Sequence, residues 1–147
     1  MRRTLAAVAA AALLSGCGTS PFNLYGAKAD AEIKTAEQQM LDASNKASES
    51  LALYAKLPLK NCDGPELDEA TEAANAAVSL SQRHELGVRM AAGGQLLSVA
   101  DAAKSKGCVQ QARAIYDEVL RVFASGAYAS LRDRATIGIQ DLRTKGA

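Results

Sequence analysis

Few side chains in this chain could carry chemistry. They are the cysteines Cys17, Cys62 and Cys108, the single histidine His84, and a run of carboxylates at Glu66, Asp68, Glu69 and Glu72. A zinc site needs four nitrogen, sulfur or oxygen ligands, and neither a CxxC pair nor a second histidine is present to anchor one. A serine or cysteine nucleophile would have to use His84 as its base, and no nucleophile elbow accompanies it. His84 lies in the polar run Ser81-Gln82-Arg83-His84-Glu85, which predicts a solvated side chain. Gly93-Gly94 has neither the lysine nor the spacing of a phosphate-cradling loop. The four carboxylates follow Asp63-Gly64-Pro65, a helix start, where the helix dipole favours negative charge. Two acids could still converge as in a glycosidase, but the chain has no tryptophan to serve as a sugar platform. The expectation is a protein that is not an enzyme, with no cofactor, no metal and no small-molecule substrate.

The N-terminus explains the first cysteine. Arg2 and Arg3 precede an apolar run from Leu5 to Leu14, and small residues follow at Ser15 and Gly16, the layout of a secretory signal. About ten apolar residues are too few to cross ~30 Å of hydrocarbon, which takes roughly 20. The tetrapeptide Leu14-Ser15-Gly16-Cys17 resembles the lipobox of bacterial lipoproteins. That resemblance covers the residues up to Cys17. It implies that residues 1–16 are removed and that Cys17 becomes a lipidated N-terminus, carrying palmitate-type acyl chains in a bilayer. Gly18, in place of an aspartate, implies sorting to the outer membrane, with the domain facing the periplasm.

With Cys17 acylated, Cys62 and Cys108 are the remaining pair in an oxidising compartment. A structural disulfide is the expected outcome. It would close a loop of about 46 residues and contribute roughly 4 kcal/mol on the chain-entropy model. The competing reading, two reactive thiols or a metal pair, lacks the CxxC spacing and a nearby histidine.

Removing Arg2 and Arg3 from 17 basic residues leaves them near balance with 16 acidic ones. Interspersed charge of both signs argues against nucleic acid and offers no polybasic patch for anionic lipid. Acyl chains, at roughly 0.8 kcal/mol per buried methylene, can hold the protein to a membrane without charge. Abundant alanine, no tryptophan and only three prolines predict an all-α fold. The size of the mature chain fits one domain.

Gly18 to Gly26, with Pro21 and Asn23, reads as a tether following the lipidated residue, so that 17–26 precede a single helical domain over 27–147. Ala27 to Lys56 reads as one helix. Ile33, Ala36, Met40, Ala43, Ala47, Ser50, Tyr54 and Leu57 fall on a single stripe along it. Leu57-Pro58 ends that helix, and Asp63-Gly64-Pro65 starts the next. The second helix runs through Leu67, Ala70, Ala74, Ala77 and Val78, and the spacing leaves open whether it breaks at Ser81–Glu85 before ending at Gly93-Gly94. Gln95–Lys106, Cys108–Phe123 and about Ala127–Thr144 complete the chain. The expected fold is a small bundle of about five helices with one disulfide.

Two further resemblances bear on function. Within Leu96 to Leu120, the residues Leu96, Val99, Ala100, Ala103, Gly107, Ala112, Tyr116 and Val119 resemble one tetratricopeptide hairpin, although no second copy or terminal proline follows. The lipobox, a loop cysteine before an acidic helix, and a second cysteine opening a late helix together resemble the layout of type II secretion pilotins. Those are small helical outer-membrane lipoproteins that bind a helix of their secretin. The likeness implies a protein-binding or assembly module for another envelope protein, with Gln95 to Leu142 expected to form its groove. The alternatives are a structural envelope lipoprotein that oligomerises through Ala27–Leu57, or an accessory or exclusion lipoprotein of a mobile element.

Overall fold

The computed structural model describes residues 21–145, with side chains over 35–144. Five α-helices and one 3₁₀ turn account for nearly all of this stretch, and no strand occurs among the described residues. The lipobox, Cys17 and the residues up to Ser20 lie outside it.

Helix α1 runs Pro21–Lys56 and so begins six residues before Ala27, inside the stretch expected to be a tether. Proline suits a first helical position, because its fixed φ is already helical and its missing N–H has no partner there to lose. Gly26 costs the helix about 1 kcal/mol relative to alanine, a cost that its alanine-rich neighbours can carry. The expected stripe is divided in two. Ala47, Ser50 and Tyr54 are buried, whereas Ala36, Met40 and Ala43 are only partly covered. None of the side chains over 35–46 is fully buried, and the first buried one among the described residues is Ala47.

Pro65–Ser81 forms α2 from the Asp63-Gly64-Pro65 start that the sequence predicts, with Gly64 as its cap and Pro65 in its first turn. Its inner face is Leu67, Ala70, Ala73, Ala74, Ala77 and Val78. The chain does break after Ser81, whose hydroxyl donates to Val78 O at 2.7 Å while His84 N–H turns back to Ser81 O at 2.9 Å.

Helix α3, Leu86–Ser105, runs straight through Gly93-Gly94, where a stop was expected. The reason is tertiary. A Cβ on Gly93 would lie 2.5 Å from Leu131 Cδ1 and 2.9 Å from Phe123 Cζ, so this position lets neighbouring side chains reach the α3 backbone. Burial of Leu96, Leu97, Val99, Ala100 and Ala103 makes α3 the central helix. Gly107, at φ +80°, reverses the chain, a backbone region that glycine enters without steric cost.

Val109–Val122 (α4) returns along α3, burying Ala112, Ile115, Tyr116 and Val119. Val109, at the start of α4, is 36% exposed. Phe123 meets Tyr128 edge-on, their ring centroids 5.0 Å apart, across the short turn that includes the 3₁₀ segment Gly126–Tyr128. Helix α5, Ala129–Lys145, turns Leu131, Ala135, Ile139 and Leu142 inward. Its Gly138 lies against the Tyr116 ring, so close that a Cβ would overlap it. Five helices result, but the expected stop at Gly93-Gly94 is replaced by the break at 82–85.

Cys62 and Cys108 form a disulfide with a Cα–Cα distance of 5.2 Å. It fastens the α1–α2 loop to the α3–α4 corner. Around it, Lys60 N–H donates to Lys106 O at 2.9 Å, and the buried Lys106 ammonium donates to Ala55 O at 3.2 Å and to Leu57 O. These two carbonyls belong to the open end of α1, where the helix dipole favours a cation.

Candidate functional site

A groove of about 710 Å³ runs between α1 and α3, with α2 contributing Ala77. Helix α1 supplies Met40 from its stripe together with an offset face of Leu41, Ser44, Ser48, Leu51, Ala52 and Ala55. Their spacing is helical, so the groove follows α1 for about 22 Å at 1.5 Å per residue. Across it, α3 presents Val88, Ala91, Ala92, Gln95 and Ser98. Small side chains on both walls create the space, because alanine and serine leave a gap that leucine or isoleucine would fill. Leu41, 51% exposed, is an uncovered apolar side chain on its edge.

Every polar side chain in the groove is already committed. The Gln95 amide donates to Ser44 O at 2.6 Å and to Ser48 Oγ at 2.9 Å. Its own oxygen accepts from Ser44 Oγ at 3.1 Å. Ser48 Oγ donates to Ser44 O at 3.0 Å, and Ser98 Oγ to Gly94 O at 3.0 Å. A partner entering here meets an apolar surface with no side-chain donor in reserve. Such a surface accepts a helix, whose backbone groups are satisfied internally, better than an extended tail, whose backbone amides would lose water without replacement.

Of the region Gln95–Leu142 expected to form a groove, only Gln95 and Ser98 line the one between α1 and α3. The α4–α5 side has a smaller hollow of about 270 Å³, bordered by Arg113, Leu120, Ile139 and Arg143. The α3–α4 hairpin instead packs tightly. Tyr116 is fully buried, and its hydroxyl donates to Asp101, which also faces Arg134 at 3.4 Å and Lys104 at 3.8 Å. Lys104 in turn reaches Asp141 at 3.2 Å. Burial, reinforced by the Asp101 carboxylate, pushes the Tyr116 phenol well above the ordinary tyrosine range. This cluster ties α3, α4 and α5 together.

His84 is only partly exposed, and its Nε2 is buried without a hydrogen-bond partner, which corrects the expectation of a solvated side chain. The cause is the break after Ser81, which folds the loop back on the bundle. Glu66 and Asp68 occupy the first turn of α2, and Asp68, Glu69 and Glu72 point to solvent. Among the described residues, no three of His, Cys, Asp or Glu meet in a group able to hold a metal. Sequence reasoning missed the groove itself. Its signal is the second α1 stripe of Leu41, Ser44, Ser48, Leu51 and Ala55, one position round the helix from the stripe through Ala47, Ser50 and Tyr54. No family model, curated protein or solved structure matches the chain.

Proposed function

We propose that this chain is a lipid-anchored outer-membrane protein, attached through Cys17, whose periplasmic domain binds another envelope protein without catalysing a reaction. The observation that carries this reading is the α1–α3 groove with its committed polar groups, which suits a helix bearing an apolar face. The lipobox supports the location, and the pilotin-like layout supports an assembly role.

Crosslinking of the full lipoprotein in intact cells, followed by mild detergent extraction, tests it. Recovery of one outer-membrane channel or other envelope protein in fixed ratio is expected, and Ala91→Trp, which fills the groove from an exposed position, should abolish that recovery. Recovery of the same partner by the tryptophan variant would overturn the assignment to the groove.

A second reading has its own observation. The partly covered Ala36, Met40 and Ala43 continue the buried α1 stripe beyond the bundle. Self-association through that segment would make the protein structural. Ala36→Arg combined with Ala43→Arg, neither of which lines the groove, would then abolish the oligomer and spare the groove.

A further inference from the structure

The surroundings of the Cys62–Cys108 bridge differ sharply between its two sulfurs. Cys62 sits in the α1–α2 loop and is only partly buried. Cys108 is 1% exposed and is the cap residue at the N-terminus of α4. The hydroxyl of Tyr54, itself fully buried, donates to Cys108 Sγ at 3.3 Å. The buried Lys106 ammonium lies 5.3 Å from the Tyr54 ring, two residues before Cys108. A helix N-terminus and a phenol donor both favour negative charge on that sulfur. Burial opposes it, and the phenol bond offsets burial because it is direct and becomes charge-assisted once the sulfur is anionic.

We propose that the Cys62–Cys108 bridge is a thiol-exchange site of fixed polarity, at which a dithiol attacks Cys62 and Cys108 leaves as a thiolate held by Tyr54. The attacking thiolate forms a bond to Cys62 Sγ. The Cys62–Cys108 bond breaks, and its electron pair leaves on Cys108. The second thiol of the reagent, deprotonated, then attacks the mixed disulfide and releases Cys62, which takes a proton from water. The protein disulfide is reduced by two electrons, and the dithiol is oxidised to a disulfide. The rate of such exchange rises as the leaving thiol becomes more acidic, so the Tyr54 hydroxyl sets how readily the bridge opens. This inference rests on the bridge and its neighbours and is independent of what the groove binds.

The test is reduction of the full, bridged chain by dithiothreitol at pH 7, followed by mass after acid quenching, in wild type and in Tyr54→Phe. The proposal expects Tyr54→Phe to be reduced several-fold more slowly. A merely structural Tyr54 gives the opposite sign, because a loosened site exposes the bridge and speeds its reduction. An equal or faster rate in Tyr54→Phe would overturn the proposal. A second measurement uses Cys62→Ser, confirmed as helical by circular dichroism, and follows alkylation of Cys108 against pH. Its midpoint should lie below the ~8.5 of a free cysteine and should rise when Tyr54→Phe is added. A midpoint at or above that value also refutes the thiolate-stabilising site. Should Cys62→Ser fail to fold, the reduction rate of the bridged chain decides alone.

Discussion

An alanine at Gly93 would press its Cβ to 2.5 Å from Leu131 Cδ1, whereas one at Gly94 would meet nothing within 4 Å. The adjacent glycines therefore respond oppositely to the same change. Gly93→Ala should destabilise the fold by about 1–3 kcal/mol through overpacking. Gly94→Ala should stabilise it by up to ~1 kcal/mol through helix propensity and a less flexible unfolded chain. Chemical denaturation of both variants measures the difference, and equal shifts would refute the assigned roles. The same close approach explains why the sequence signal failed here. A glycine pair carries a propensity cost of roughly 2 kcal/mol, and sequence alone does not show that Phe123 and Leu131 lie across from one of them. Tyr116 supplies a second prediction at this scale. Burial and Asp101 raise its phenol, so the folded chain keeps a proton that the unfolded chain releases near pH 10. Its contribution is complete below about pH 10 and is lost as pH rises further. Thermal unfolding between pH 9 and 11 should therefore lose more stability in wild type than in Tyr116→Phe.

Helix boundaries were legible wherever a local residue forces them. Leu57-Pro58 ends α1 because the residue before proline leaves the helical region, and Gly64-Pro65 opens α2 for the complementary reason. The inward face of α2 was legible from its spacing. The groove was not, since it depends on how far α1 and α3 stand apart above Ala77, and that distance follows from packing rather than from either helix. The α1 terminus illustrates a device with no local signature. Lys106, fifty residues downstream of Lys56, satisfies the carbonyls of Ala55 and Leu57. Lys106→Met keeps most of the stem but removes those bonds, and should cost about 1–3 kcal/mol, read as a lower denaturation midpoint. The bridge beside it closes a separation of 46 residues. On the chain-entropy model its loss costs roughly 4 kcal/mol, so a reductant should lower the melting temperature by on the order of 10 °C. No shift would mean that the surrounding contacts, not the covalent link, hold this corner.

For the molecule as a whole, the length of α1 ahead of the groove sets the relation between bundle and N-terminus. At 1.5 Å per residue, 36 helical residues span about 54 Å, and the groove begins only at Met40, about 28 Å along from Pro21. A flexible chain would let the groove sample every direction at an average distance. A continuous helix instead fixes a compass bearing, because each inserted residue turns everything beyond it by 100°. Two residues inserted near Ala31 would swing the groove by roughly 200° while adding only ~3 Å of reach, whereas seven would nearly restore the bearing and add ~10 Å. If α1 acts as a shaft, capture of a membrane-proximal partner should fail with the two-residue insertion and survive the seven-residue one. Distance alone would predict the reverse order, so the pair separates aim from reach.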